Sequence, residues 1–238
     1  FVNTLMAITE DYYDEITIHE NETFDISVKG DYAFEGFNIL EKVASLCKVE
    51  FGSAFNTNFA VNIKKNIKIG AGLGGGSGNA AEFLKFLLTQ NNIFLNQNAF
   101  CALAIKIGAD VSFFCNHLPK ICTGYGEILK EVPFRVPPLY AIIVLPNFFI
   151  ETKRAFSLIN KSDFRNSKIE TFADVLASVN SFYEVCTRMQ PEIQNIIQEL
   201  KALPNVLKAD VSGSGSACFA LFNSREDAKN ASEKISNH

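Results

Sequence analysis

The chain has 238 residues, 47% of them hydrophobic, and 22 lysines and arginines against 26 acids. This length and apolar content support a sizeable core, in one large domain or two modest ones, and exclude a disordered chain. A net charge of −4 without a basic stripe offers nucleic acid and anionic membranes little to bind.

No clean apolar run, Leu139 to Leu145 included, comes near the roughly 20 residues that span a bilayer. No signal peptide is read at the start. The six cysteines (Cys47, Cys101, Cys115, Cys122, Cys186 and Cys218) are scattered and form no CxxC pair. They read as buried free thiols of a cytoplasmic protein rather than as a zinc or thioredoxin-like site. With only three histidines, neither a His-based triad nor a metal-ligand set is expected.

In chain order, EITIH (15–19) and FDISV (24–28) alternate apolar and polar residues, as half-buried strands do. FAVNI (59–63) alternates in the same way and, being lysine-rich afterwards, reads as antiparallel. A glycine cluster follows at 70–78. Ala80, Phe83, Leu84, Leu87 and Leu88 then recur at helical spacing. A second helix is expected from Asn98 to Ile107, stopped by Gly108. Pro137-Pro138 marks a boundary between domains 1–137 and 138–238. Residues 139–145 read as a buried strand, and helices are expected over 153–160, 171–187 and 191–202. VSGSGSACFALF (211–222) reads as a strand, a tight glycine turn and a strand.

GAGLGGGSG (70–78) holds six glycines in nine positions. Glycine loses the most conformational freedom on folding, so such a cluster needs a reason. It fits G-x-G-x-x-G, but a dinucleotide fingerprint follows a buried parallel strand and precedes a ribose-binding acid, and residues 90–98 contain no acid. A Walker loop requires Lys-Ser/Thr where Ser77-Gly78 stands, and the protein-kinase motifs are absent. There remains a glycine loop running into a helix that Ser77 or Asn79 can cap. Its N–H groups and dipole favour an anion, and the missing side chains admit a polyphosphate. A bare strand-to-helix turn needs only one or two glycines. Asp110 lies at a corner before Val111, Phe113 and Phe114, where a carboxylate either caps the next segment or faces a cleft as a base. Gly213-Ser214-Gly215 could be a simple hairpin turn. Phe156 reads as one core residue among 22 phenylalanines.

GAGLGGGSGNAA (70–81) closely resembles the phosphate-binding motif of the GHMP kinases, the family of galactokinase, homoserine kinase and mevalonate kinase. Further stretches are similar to the branch that phosphorylates CDP-methylerythritol in the non-mevalonate isoprenoid pathway. These are IGADVSFF (107–114), with Ser112 where proline is usual, GYGEIL (124–129) and IETKRAF (150–156). NSFYEV followed by PEI (180–193) also fits, with Ser181 replacing the usual acid. SGSGSACFALF (212–222) resembles the third family motif, and Gly78 stands where a second serine is usual.

The resemblance implies a two-domain α+β fold. Its N-terminal domain would be like ribosomal protein S5 domain 2, and its C-terminal domain ferredoxin-like. It implies a kinase using ATP and Mg2+. ATP would lie along Lys68, Ile69, Gly70, Ala71, Gly72, Leu73, Gly74, Gly75, Gly76, Ser77, Gly78 and Asn79. Asp110 matches the catalytic base. Thr152 and Phe156 match a substrate-binding segment in which the aromatic stacks on cytosine, and Gly213, Ser214 and Gly215 match a turn near the substrate phosphates. The first family motif, carrying a lysine and then a Tyr-His pair, is not in the sequence. FVNTLM (1–6) resembles the stretch just after it, so a lysine-bearing strand is expected ahead of Phe1. Another GHMP kinase, of the homoserine or mevalonate type, a catalytically inactive nucleotide-binding homologue, and a nicotinamide oxidoreductase stay open as alternatives.

Overall fold

In the computed structural model, which describes residues 2–163 and 168–235, Phe59, Val61 and Ile63 are buried on one face of their strand while Asn62 and Lys64 are exposed. That alternation comes from the two-residue period of a strand with one wet face. The chain divides into two compact units, Phe1–Ile69 with Gly74–Val132, and Gly70–Leu73 with Pro133–His238.

The first unit runs β1 (Val2–Met6), β2 (Glu15–Glu20), β3 (Asp25–Lys29), α1 (Ile39–Phe51) and β4 (Phe59–Lys64). It continues with α2 (Gly75–Gln90), α3 (Gln97–Ile107), a 3-10 helix (Ala109–Cys115), β5 (Lys120–Gly124) and β6 (Ile128–Glu131). One sheet has the order β2-β4-β3. The central β4 pairs antiparallel with β2, Ile16 facing Ile63, and parallel with β3, Ile26 facing Val61. The antiparallel reading of this strand therefore holds on one edge only. The second sheet, β1-β5-β6, is antiparallel throughout. Helix α1, which is not among the expected elements although Leu40, Val43, Ala44 and Cys47 share one face, is started by Asn38. Its Oδ1 accepts from Leu40 N–H, and its own N–H donates to Glu41. The core gathers Leu40 and Val43 of α1, Phe83, Leu84 and Leu87 of α2, and Leu103 and Ile107 of α3 against β4.

The second unit contains β7 (Tyr140–Val144), α4 (Thr152–Leu158), α5 (Phe172–Ala177), α6 (Phe182–Met189) and α7 (Glu192–Lys201). It ends with β8 (Lys208–Val211), β9 (Cys218–Phe222) and α8 (Arg225–Ser232). Its sheet, β7-β9-β8, is antiparallel with β9 in the centre. Ile193, Ile196, Ile197 and Leu200 of α7 pack on Val211, Cys218, Ala220 and Phe222. Their i, i+3, i+4, i+7 spacing puts them on one helix face.

The helix expected over 171–187 is broken into α5 and α6. Asn180 ends the continuity by turning its side chain to the chain after β8. Its Nδ2 donates to Val211 O at 2.8 Å and to Gly213 O at 2.7 Å, and its Oδ1 accepts from Phe182 N–H at 2.9 Å. Such local bonds compete with helix formation.

All six cysteines are free. Burial pushes the thiols of Cys47, Cys122, Cys186 and Cys218 up to about 12, so they behave as small apolar core residues. Among the described residues no helix is long and apolar enough to cross a membrane.

Leu84 has no exposed surface. Leu84→Ala is expected to lower stability by about 2–5 kcal/mol through lost burial and a residual cavity. Urea unfolding followed by circular dichroism measures the shift.

Candidate active site

Helix α2 starts at Gly75, earlier than capping by Ser77 or Asn79 requires. Its N-cap is Gly74, left-handed at φ 69°, with no side-chain hydrogen bond. The first N–H groups of a helix have no intrahelical acceptor. Among the described residues, those of Gly75, Gly76 and Ser77 find none elsewhere in the protein. Three N–H donors and the positive end of a helix dipole thus remain available to an anion. Asn79 is differently engaged, donating from Nδ2 to Asp14 Oδ2 at 2.9 Å.

The glycines of the cluster answer to different neighbours. A Cβ on Gly75 would lie 2.9 Å from the Ile67 side chain and 3.1 Å from Lys65 Nζ. At Gly74 and Gly78 it would meet the Phe114 ring at 3.2 and 3.3 Å. At Gly76 a Cβ meets nothing within 4 Å. Most of the cluster is therefore glycine because protein packs against it, and Gly76 alone faces open space without a left-handed backbone.

Upstream, Lys68 is half-buried and Ile69 exposed. Residues Gly70–Leu73 group with the second unit, Leu73 being half-buried. Gly70 and Gly72 are left-handed, at φ 67° and 75°. A Cβ on Gly72 would come within 2.1 Å of Ser212 O. The bonds Ser212 Oγ to Gly72 O, 2.9 Å, and Ala217 N–H to Ala71 O, 3.0 Å, fix this approach. The turn Gly213-Ser214-Gly215 is therefore no free hairpin. Ser214 Oγ bonds Thr152 Oγ1 at 3.0 Å, and Cys186 Sγ sits 3.0 Å from where a Gly215 Cβ would stand. Phe156 is 45% exposed and meets buried Phe182 edge-on, centroids 4.7 Å apart.

Asp110 stands in the first turn of the 3-10 helix, whose N-cap is Gly108. It is not a capping residue, and among the described residues it makes no hydrogen bond or ion pair. Desolvation by the surrounding protein raises its pKa above the usual carboxylate value, although its surface reaches solvent. Gly126, at φ 113°, leaves room for it: a Cβ there would lie 2.8 Å from Asp110 Oδ1. The same 3-10 helix carries Phe114, which packs on Gly74 and Gly78.

Sequence reasoning missed Asp14 and Lys65, and it did not read the roles of Phe114, Asn180 and Gly126. Each acts on a segment distant in sequence, and only a buried charge or a lone glycine could have hinted at it.

Family models for the GHMP kinases N terminal domain and GHMP kinases C terminal match residues 38–117 and 161–238, in order and together over more than half of the chain. The chain belongs to the GHMP kinase family. A curated relative, 4-diphosphocytidyl-2-C-methyl-D-erythritol kinase of Nitratidesulfovibrio vulgaris, is 29% identical over 68% of this chain and 60% of its own length. The kinase of that name from Burkholderia ambifaria is 32% identical over 66% and 57%. A crystal structure of 4-(cytidine 5'-diphospho)-2C-methyl-D-erythritol kinase aligns with a TM-score of 0.73 at 28% identity, over 92% of this chain and 81% of that one. The GHMP kinase chain described here thus spans about 60% of the length of the curated relatives it matches. The two-domain GHMP kinase fold stands, and the nicotinamide oxidoreductase alternative falls with it.

Two measurements follow. Gly76→Ala has room for its methyl in the ligand-free protein, so Tm stays equal or rises, alanine being better in a helix by about 1 kcal/mol. ATP affinity should fall about tenfold or more, a loss of about 1.4 kcal/mol, in calorimetric titration. Because the raised Asp110 pKa means the folded state disfavours the carboxylate, this residue's contribution to stability declines as pH rises through and above the usual carboxylate range. Asp110→Asn should remove that decline and raise Tm at pH 7 in a thermal melt.

Proposed function

We propose that this protein is an ATP-dependent kinase that transfers the γ-phosphoryl group to the 2-hydroxyl of CDP-methylerythritol. The observation that carries the reading is the helix start at Gly75, where three N–H donors and the open space at Gly76 suit a phosphate chain. The named relatives support the choice of acceptor, and homoserine- or mevalonate-type chemistry is not favoured.

ATP with Mg2+ would supply the phosphoryl group and part of the counter-charge. Residues 68–79 form the nucleotide site, with the N–H groups of Gly75, Gly76 and Ser77 stabilising negative charge on the phosphates and Asn79 acting through its bond to Asp14. Asp110 accepts the proton of the acceptor hydroxyl as its oxygen bonds to phosphorus and the bond to the ADP oxygen breaks. Its raised pKa makes it a better base than an ordinary surface aspartate. Thr152, held by Ser214, and the turn Gly213-Ser214-Gly215 contact the acceptor substrate, and Phe156 stacks on its cytosine. Residues 1–137 would bind ATP and residues 138–238 the substrate, in a cytoplasmic enzyme acting on a small molecule.

The test supplies the purified protein with ATP, Mg2+ and, separately, CDP-methylerythritol, homoserine and mevalonate, and follows ADP release. Turnover with the cytidine substrate alone is expected. Turnover with another alcohol, or ATP binding without turnover on any, would overturn the reading. Asp110→Asn should lower kcat about 10²- to 10⁴-fold with ATP affinity retained. Phe156→Ala should raise KM for the cytidine substrate by the about 1–3 kcal/mol that base–aromatic stacking is worth, and leave KM for ATP unchanged. Equal effects on both substrates would mark Phe156 as a packing residue.

A further inference from the structure

We infer that Asp14 is a positioning residue whose single carboxylate fastens the upstream and downstream ends of the glycine loop and so presets the α2 N-terminus for phosphate. The inference rests on the function proposed above and assigns a role to a residue that lies more than fifty positions before the loop.

Asp14 precedes β2, and its side chain has no exposed surface; its partner Lys65 is only 5% exposed. Asp14 Oδ1 accepts from the N–H groups of Asn66 and Ile67, at 2.8 Å each. Its Oδ2 accepts from Lys65 Nζ and, at 2.9 Å, from Asn79 Nδ2. Residues 65–67 lead into the loop, and Asn79 is the fifth residue of the helix that leaves it. Both ends are thus tied to one pair of oxygens, and residues 68–78 span between two fixed points. Fixing the ends of a loop removes conformations that binding would otherwise have to select against.

The pair is poorly explained as a source of stability. Buried ion pairs lose so much hydration that apolar residues of equal volume commonly serve a fold as well or better. Apolar residues cannot collect two backbone N–H groups, an ammonium and an amide on one group. Charge also matters to the ligand. The carboxylate neutralises a lysine whose Nζ stands 3.1 Å from the position of a Gly75 Cβ, so the ammonium is held at the helix start without being left unpaired. Burial opposes the Asp14 charge, yet the bonds from Ile67, Lys65 and Asn79 hold its pKa below the usual value. The acceptor therefore stays ionised at neutral pH.

The test uses two variants of the full protein. Asn79→Ala cuts the downstream tether and leaves Asp14 with Lys65 and both N–H groups. Asp14→Asn combined with Lys65→Met removes the charge without burying a lone ammonium. Three quantities are read: Tm, the dissociation constant of a non-hydrolysable ATP analogue, and amide hydrogen exchange of residues 66–78 in the ligand-free protein. The expected result for Asn79→Ala is a Tm within a few degrees of the parent, faster exchange in the loop with unchanged exchange in β4, and affinity weaker by about tenfold. KM for ATP should rise more than kcat falls. The double variant, where folded, should show the same pattern, and if it does not fold Asn79→Ala carries the test. Unchanged affinity in a folded variant overturns the inference. So does weaker affinity with unchanged loop exchange, which would mean that Asn79 touches the nucleotide directly. A parent protein that binds no analogue fails the proposed function itself, a result distinct from the other two.

Discussion

An α-helix cannot satisfy its own first N–H groups, and most helices assign a side chain to them. Helix α2 assigns none: its cap is Gly74, and three donors are left uncommitted among the described residues. Much of the first unit can be understood as the means of holding that exposed end still. Ile67 and the Phe114 ring close around Gly74, Gly75 and Gly78, so the backbone has almost no room to rearrange. Asp14 secures the segments on either side. The apolar face of α2, with Phe83, Leu84 and Leu87 at or near zero exposure, anchors the far end in the core. An uncapped helix start is unfavourable by itself. It persists here because packing on every other side over-determines its position.

The second unit treats its own glycines in a similar manner. The strand-to-strand connection after β8 bends back on Ala71 and Gly72 because Ala217 N–H and Ser212 Oγ donate to their carbonyls, while Asn180 donates to Gly213 O within the turn. A turn that short could have been a simple reversal. Instead its carbonyls and hydroxyls are distributed between Gly72, Thr152 and Asn180, and little freedom remains at Ser214.

Strands 15–19 and 59–63, the helices after the loop and α7 were legible in the sequence because each has one wet and one dry face, and period alone reveals that. The glycine loop was legible because no fold needs six glycines for a turn. Helix α1 went unread although Leu40, Val43, Ala44 and Cys47 recur at helical spacing, because charged and apolar residues alternate closely along it and its start rests on a capping bond at Asn38. The 171–187 segment was misread as continuous because nothing local announces that the Asn180 amide will be claimed by Val211 and Gly213. For the same reason Asp14 was invisible. One acid among the three in DYYDE looks like surface charge until the chain returns with Lys65. The sequence also suggested that the cluster is glycine for the sake of a ligand. The neighbours of Gly70, Gly72, Gly74, Gly75 and Gly78 are protein atoms, so most of that pattern is an internal packing requirement.

Gly76 is exempt from that requirement, and this has a consequence for descent. Selection on folding would preserve Gly72 or Gly75 in any lineage that keeps the architecture, whether or not the protein still handles a nucleotide. Selection on folding places no such demand on Gly76, where a methyl group meets open space. In a lineage released from its substrate, that position is free to drift first, while the rest of the motif stays intact and continues to look functional. The residue that reports whether such a loop is still in use is therefore the one the fold can do without.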